Sequence, residues 1–221
     1  MFGATGETGI HVLSYLLDRH YHVTAIVRNV SKVPRHLMEQ YGSLEESTKG
    51  QQLQIVEANV LEPRKYESYI SSDTCDAVVS CLGFDSLKAT TVLSEGMKHI
   101  VSCMKTGGVQ RILVISSAGC TPDDAQFGWF VRWIAFPYIM HECHEELKRM
   151  EQVLLDEAPY LQYTILRPPQ LVNRPLTEVY RARVGGLPEG GLKIGRCDLA
   201  YAMANMLELD QFKNSIVYVS N

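Results

Sequence analysis

Phe2-Gly3-Ala4-Thr5-Gly6-Glu7-Thr8-Gly9 carries three glycines in the pattern G-x-x-G-x-x-G, near the start of the chain. Lacking a Cβ, glycine admits left-handed backbone and close approach by other groups. We read Gly3 as permitting a tight strand-to-helix turn, Gly6 as letting the backbone reach phosphate oxygens, and Gly9 as letting the next helix pack closely on a sheet. Thr8 to His20 is predicted as that helix. Its first N–H groups have no intrahelical partners and its dipole is positive at that end, so the turn suits a pyrophosphate.

The residues that follow extend this reading. Tyr21 to Arg28 is a β-branched run placed where a βαβ unit needs its second strand. An enzyme using NAD carries an acidic residue at the end of that strand, for the ribose 2′-hydroxyl. Here the position holds Arg28, followed by Asn29, Ser31 and Lys32. Two cations among small hydrogen-bonding side chains suit a 2′-phosphate, so the expected cofactor is NADPH. The glycine spacing itself departs from the simpler G-x-G-x-x-G and points towards short-chain-dehydrogenase-like folds.

A buried strand of about five or six residues should precede such a turn. Only Met1 and Phe2 stand there. The first strand therefore reads as truncated, and a truncated gene model or splice form is expected.

Downstream, strands and helices alternate. Pro34 to Gln52 is a polar connection with a short helix around His36 to Tyr41, and Leu53 to Glu57 is the next strand. Asn59 and Val60 follow it, where an adenine ring would be met; Asn59 offers it both a donor and an acceptor, and serves equally well as a turn residue. Pro63 to Ile70 is predicted as a short helix. Asp76 to Gly83 is an apolar strand of the kind buried on both faces, with Leu82 and Gly83 at its end, where the backbone passes close to the cofactor. Leu87 to Thr106 has helical spacing and stops at Gly107-Gly108. Val109 to Ser116 is a fifth strand with Ser116 and Ser117 at its carboxyl end, the edge where open α/β sheets bind ligands. Phe127 to Met140 crowds aromatic residues, which suits the wall of a pocket for a flat aromatic ligand, a partner interface or plain core burial. Met140 to Glu157 is a charged amphipathic helix, Leu161 to Leu166 a sixth strand, and Gly185 to Gly195 a flexible loop. Cys197 to Glu208 and Ser215 to Val219 close the sheet. The pattern predicts an α/β, Rossmann-like doubly wound parallel sheet forming a single domain over residues 1–221.

Composition excludes several functions. The 221 residues are 46% hydrophobic with a net charge of −4, giving no basic field for nucleic acid or an anionic membrane. Six cysteines without C-x-x-C pairing read as reduced thiols, and the chain shows neither a signal-type leader nor an apolar run that could span a bilayer, so a cytoplasmic location and no membrane partner are expected. A monomer is the favoured state. In His141-Glu142-Cys143-His144-Glu145 the histidines are three apart, not the four of a zinc-protease helix, so a solvated helix face is expected and no metal. Hydrolase chemistry lacks a G-x-S-x-G elbow.

Alcohol-acting short-chain dehydrogenases place a tyrosine four residues before a lysine. No tyrosine here does so; Tyr138 and Tyr163 are followed at that position by Glu142 and Arg167. Hydride delivery to a conjugated ring, which needs little acid catalysis, is what remains. Four pieces together resemble the biliverdin-IXβ reductase/NADPH-dependent flavin reductase family, an atypical short-chain dehydrogenase group: the Gly3 to Gly9 turn; Val27-Arg28-Asn29 with Ser31 and Pro34; Thr90 to Gly96; and Pro168-Pro169 with Pro175-Leu176-Thr177. The resemblance implies hydride transfer from NADPH to a planar flavin or linear tetrapyrrole. It assigns cofactor binding to Gly3, Thr5, Gly6, Thr8, Arg28 and Lys32, and makes Ser117 the active-site serine. Where the family has a histidine after the proline pair, this chain has Gln170, which hydrogen-bonds but does not titrate. The alternative is a non-catalytic NADP-sensing protein of the nitrogen-repressor type.

Overall fold

The computed structural model describes residues 1–43, 52–84, 88–120, 138 and 140–221. In chain order the elements are α1 (Gly9–Asp18), β1 (Val23–Val27), α2 (Arg35–Tyr41), β2 (Gly42–Ser43), β3 (Leu53–Glu57), β4 (Ala77–Ser80), α3 (Val92–Gly107), β5 (Arg111–Ile115), α4 (His141–Asp156), β6 (Gln162–Arg167), β7 (Gln170–Val172), β8 (Arg181–Val184), β9 (Lys193–Gly195), α5 (Arg196–Glu208) and β10 (Ser215–Ser220). β1, β3 and the short β2 pair in parallel, with β3 in the middle. β4, β5, β6 and β10 form a second parallel run, closed at its edge by the antiparallel β8.

Met1 and Phe2 join the two runs. Phe2 makes parallel bridges to Ile26 on one side and Ser80 on the other. Its N–H donates to the Val79 carbonyl at 2.8 Å, the Cys81 N–H donates to the Phe2 carbonyl at 3.0 Å, and the Ile26 N–H donates to the Met1 carbonyl at 2.8 Å. The order across the sheet is thus β2, β3, β1, Phe2, β4, β5, β6, β10, β8. It runs outwards in both directions from Phe2, which makes Phe2 the point where the winding reverses. This is the Rossmann-like α/β fold expected from the alternation of elements.

Both faces of the sheet are covered. Ile112 and Val114 of β5 enter a core with Met97, Ile100 and Met104 of α3 and Met150 and Leu154 of α4. Leu113, between them, enters the opposite core with Leu13 and Leu17 of α1 and Met203 and Met206 of α5. Strand residues alternate between faces, so a strand covered on both sides must be apolar at every position. Each large side chain buried there contributes roughly 1.5–3 kcal/mol. Arg111, at the foot of β5, is buried because its guanidinium donates to the carbonyls of Gln162 and Met206 and to Thr164 Oγ1, each at 2.8 Å.

Several elements differ from expectation. Pro63 to Ile70 is not one helix but two 3-10 turns, Pro63–Lys65 and Glu67–Tyr69. The expected loop Gly185 to Gly195 ends in β9, which pairs in parallel with β7 as a small separate sheet. The helix predicted from Leu87 starts at Val92 and ends where Gly108, at φ +77°, supplies a left-handed cap. Of the aromatic stretch Phe127 to Met140, only Tyr138 and Met140 are described; the rest lies outside the described residues. On α4, His141 and Glu142 are exposed, but Cys143 and His144 are buried, which corrects the reading of that segment as a solvated face. The reason is that α4 packs along α3, with Leu147, Met150 and Leu154 in the core they share, and the buried face reaches back to Cys143 and His144.

Candidate active site

The glycine turn follows Phe2 directly and lies against the end of β4. Gly3 has φ +72°, and a Cβ there would fall 2.4 Å from the Cys81 carbonyl oxygen. A Cβ at Gly9 would lie 2.0 Å from the Gly3 carbonyl oxygen. These two glycines are therefore required by the protein's own packing. Gly6 is different: a Cβ there would meet only the Gly3 oxygen, at 3.4 Å, and otherwise face open space. Behind it, α1 begins at Gly9 with no side-chain cap and no acidic residue in its first turn. The carboxylate of Glu7, just ahead, is paired at 2.7 Å with Arg196 of α5. Open space at Gly6 beside an uncapped helix N-terminus fits the pyrophosphate of a dinucleotide.

The other sequence-derived positions follow in order along the carboxyl edge. Because Phe2 sits opposite Ile26, the turn is level with the end of β1, where Arg28 and Lys32 are exposed. Asn29 organises that corner, its Oδ1 accepting from the Ser31 N–H at 2.9 Å and the Ser31 hydroxyl at 2.7 Å. After β3, Asn59 is exposed, but its Oδ1 accepts from the Leu61 N–H at 3.1 Å, which leaves the amide NH2 for a ligand. Val60 is buried, its side chain packed against Gly96 of α3 and its carbonyl accepting the Tyr66 hydroxyl at 2.7 Å. Its contribution to a ligand is limited to the backbone N–H. After β4, Leu82 backs onto Gly3, and Gly83 is exposed, with nothing within 4 Å of a Cβ position. Thr5 and Thr8 belong to the turn itself.

Ser116 and Ser117 divide in role. The Ser116 hydroxyl donates to Glu151 of α4 in the interior, so its side chain serves the fold, which corrects its assignment to the cofactor. Ser117, next along an extended segment, belongs to the opposite face and is half-buried, with its Oγ accepting from the Gly119 N–H at 3.4 Å. Gln170 is exposed at the start of β7. The strand ladder carries on past β5 and β6: the Ser116 N–H donates to the Leu166 carbonyl at 2.8 Å and the Ala118 N–H to the Pro168 carbonyl at 2.9 Å. This brings the Ser117 segment beside the one leading to Gln170.

Among the described residues three buried carboxylates, Glu146, Glu151 and Asp198, were not foreseen from the sequence. Glu151 takes Arg167 in a two-point pair, and Arg167 Nη1 donates to the Tyr218 hydroxyl at 2.9 Å. Burial opposes the charge on Arg167, but the hydrogen bonds and charge of Glu151 outweigh it and hold the guanidinium above its ordinary range. Beside them, burial and then Glu151 push the Cys120 thiol up to about 11, so it is not a nucleophile. Glu146 accepts from the Ser94 N–H at 2.7 Å and so caps the first turn of α3. Asp198, in the first turn of α5, accepts from the N–H groups of Thr177 and Glu178 at 2.8 and 3.0 Å and from Asn221 at 2.6 Å, and so holds the segment beyond β7. The only signal for any of them was an acidic residue on the apolar side of a helix.

Tyr163 lies in the core on β6, and Tyr138 is 81% exposed. Among the described residues no three His, Cys, Asp or Glu side chains gather as a metal site, and no helix is long and apolar enough to cross a membrane.

A glycine turn at the switch point of a doubly wound parallel sheet, backed by an uncapped helix, defines a dinucleotide-binding protein. More narrowly, the chain belongs to the NAD(P)H-binding family, whose sequence pattern matches residues 3–210. It is 29% identical over 188 residues to an uncharacterized chloroplastic protein of Arabidopsis thaliana, covering 79% of this chain and 59% of that one, so it spans well under two thirds of that relative. Among solved structures it shares the fold of a short-chain dehydrogenase/reductase from Veillonella parvula in complex with NADP, with a TM-score of 0.78 at 19% identity, covering 100% of this chain and 92% of that one. It also shares the fold of ChuY, an anaerobilin reductase from Escherichia coli, with a TM-score of 0.73 at 16% identity, covering 99% and 94%.

Proposed function

We propose that the chain is an NADPH-dependent reductase whose acceptor is a planar conjugated ring system, a flavin or a linear tetrapyrrole. The observation that carries this reading is the make-up of the carboxyl edge. At the ends of β5 and β6, among the described residues, it offers the Ser117 hydroxyl and the Gln170 amide, while Tyr163 is buried on β6. A hydroxyl and an amide orient a ring and hydrogen-bond its heteroatoms, but they do not protonate an alkoxide as a Tyr–Lys pair would. A conjugated acceptor spreads the incoming charge over many atoms and needs little acid. The anaerobilin reductase among proteins of the same fold supports that acceptor class.

In this reading the open face at Gly6, with Thr5, Thr8 and the first amides of α1, holds the pyrophosphate. Arg28 and Lys32 hold the 2′-phosphate, and Asn59 with the Val60 N–H borders the adenine. Leu82 and Gly83 let the backbone run close beside the nicotinamide half. NADPH, when bound, supplies the hydride. Ser117 and Gln170 act as catalytic residues by positioning the acceptor, and its proton comes from solvent.

The test follows NADPH absorbance in parallel reactions with FMN, with biliverdin and without acceptor, using NADH as control and Ser117→Ala as comparison. Acceptor-dependent oxidation that prefers NADPH and is weakened at least about tenfold in the variant is expected. Tight NADPH binding without turnover would replace this reading with a non-catalytic NADP sensor.

A further inference from the structure

We infer that Glu151 is a positioning residue that fixes the distance between Ser117 and Gln170; the inference rests on the reductase reading above. One buried carboxylate grips the approach to both. Its Oε1 accepts the Ser116 hydroxyl, one residue before Ser117 at the end of β5. The same oxygen accepts Arg167 Nε at 3.0 Å, and Oε2 accepts Arg167 Nη2. Arg167 is the last residue of β6, and only Pro168 and Pro169 separate it from Gln170. The guanidinium is held in turn by Tyr218 of β10, whose ring it also faces at 5.6 Å. Three neighbouring parallel strands are thereby pinned near their carboxyl ends, where among the described residues the β5–β6 ladder continues through Ser116 to Leu166 and Ala118 to Pro168.

Stability alone is a poor account of this arrangement. The side chains of Arg167 and Glu151 are 8% and 4% exposed, and desolvating such a pair offsets much of its attraction. Apolar residues of similar volume would fill the space as well. What apolar residues could not do is hold two strand ends in fixed register by directed hydrogen bonds. The two proline residues stiffen the short path from Arg167 to Gln170, so a shift at Arg167 is transmitted to the amide. Displacing a reacting group by about 1 Å costs on the order of 100-fold in rate.

Two variants test this. Ser116→Ala releases the β5 end and leaves the Glu151–Arg167 pair intact. Glu151→Leu combined with Arg167→Met replaces the pair by apolar volume. The first readout needs no activity: hydrogen exchange of the free protein, comparing the Ser116 and Ala118 amides with Ile112 to Val114 in the strand interior. The second is kcat and KM for FMN or biliverdin, with the dissociation constant for NADPH measured separately. Expected in both variants are exchange at Ala118 faster by at least about tenfold with the interior unchanged, kcat lower by about 10- to 100-fold, and NADPH affinity within about twofold of wild type. Ser116→Thr, which restores the hydroxyl, should recover both. Unchanged exchange at Ala118, loss of protection at Ala118 and the interior alike, or an unchanged kcat would each overturn the positioning role. A wild-type protein that reduces no acceptor would instead defeat the reductase reading, and the exchange comparison would still show whether Glu151 ties the two strand ends.

Discussion

The Cβ that an alanine would place at position 9 falls 2.0 Å from the carbonyl oxygen of Gly3, whereas at position 6 the same oxygen is 3.4 Å away. The two glycines of one turn therefore answer to different constraints, one to the fold and one to the ligand. Gly9→Ala forces the turn off α1 and should lower stability by about 2–4 kcal/mol, read as a shift in urea midpoint. Gly6→Ala should unfold within about 0.5 kcal/mol of wild type and yet bind NADPH at least about tenfold more weakly. Equal loss of stability in both would show that Gly6 also serves packing.

The turn was legible because its three glycines are close together in sequence at a recognisable spacing, although the group that Gly3 must clear, the Cys81 carbonyl, is remote in the chain. β4 and β5 were legible because a strand covered on both faces is apolar almost throughout, and Arg111 to Ile115 reads so after its first residue. The three-residue strands β7 and β9 were not, since Gln170 to Val172 acquires its strand character only by pairing with Lys193 to Gly195. Glu151 was hidden similarly. In His-Glu-Glu-Leu-Lys-Arg-Met-Glu-Gln (144–152) it looks like one more solvated charge, and its partners Ser116 and Arg167 lie 35 and 16 residues away. Ser116 was thus assigned to the cofactor although its hydroxyl faces inwards.

The corner at the end of β1 makes a prediction about cofactor choice. Arg28 and Lys32 are exposed beside Asn29 and Ser31 and stand level with the phosphate turn. A charge-assisted hydrogen bond to a phosphate contributes about 1.5–3 kcal/mol. Arg28→Glu should therefore weaken NADPH binding by about 10- to 100-fold and leave NADH within about threefold, as measured by the quenching of protein fluorescence. Parallel loss of both nucleotides would place the 2′-phosphate elsewhere.

His144 makes stability depend on pH. Burial, and then the charge of Lys148, lower its pKa from an ordinary 6.5 to about 4. Between those values the unfolded chain takes up a proton at this imidazole and the folded chain does not. Stability is therefore full above pH 6.5 and falls as the pH drops towards 4, by on the order of 3 kcal/mol from this group. His144→Leu removes the titration. Its unfolding free energy should vary less than that of wild type across this window, and parallel curves would show that His144 titrates alike in both states.

Asp198 links the fold to the segment that follows β7. Its carboxylate is fully buried and takes the N–H groups of Thr177 and Glu178, the Thr177 hydroxyl at 3.0 Å and the Asn221 amide. Glu178 sits at φ +60°, a left-handed conformation unfavourable for a residue with a Cβ, and the bond from its N–H to Asp198 offsets that strain. Asp198→Ala would leave two backbone donors, a hydroxyl and an amide without this acceptor, at about 1–3 kcal/mol for each group that water does not reach. The loss should be local, because β10 and α5 keep their apolar contacts through Val217, Leu199 and Met203. The Thr177 and Glu178 amides should exchange at least about tenfold faster in the variant, while amides of β5 stay protected. This segment continues from β7, which begins at Gln170, so the KM for the acceptor should rise while NADPH affinity holds. Protection lost evenly across the sheet would mean that Asp198 supports the whole fold and not this one segment.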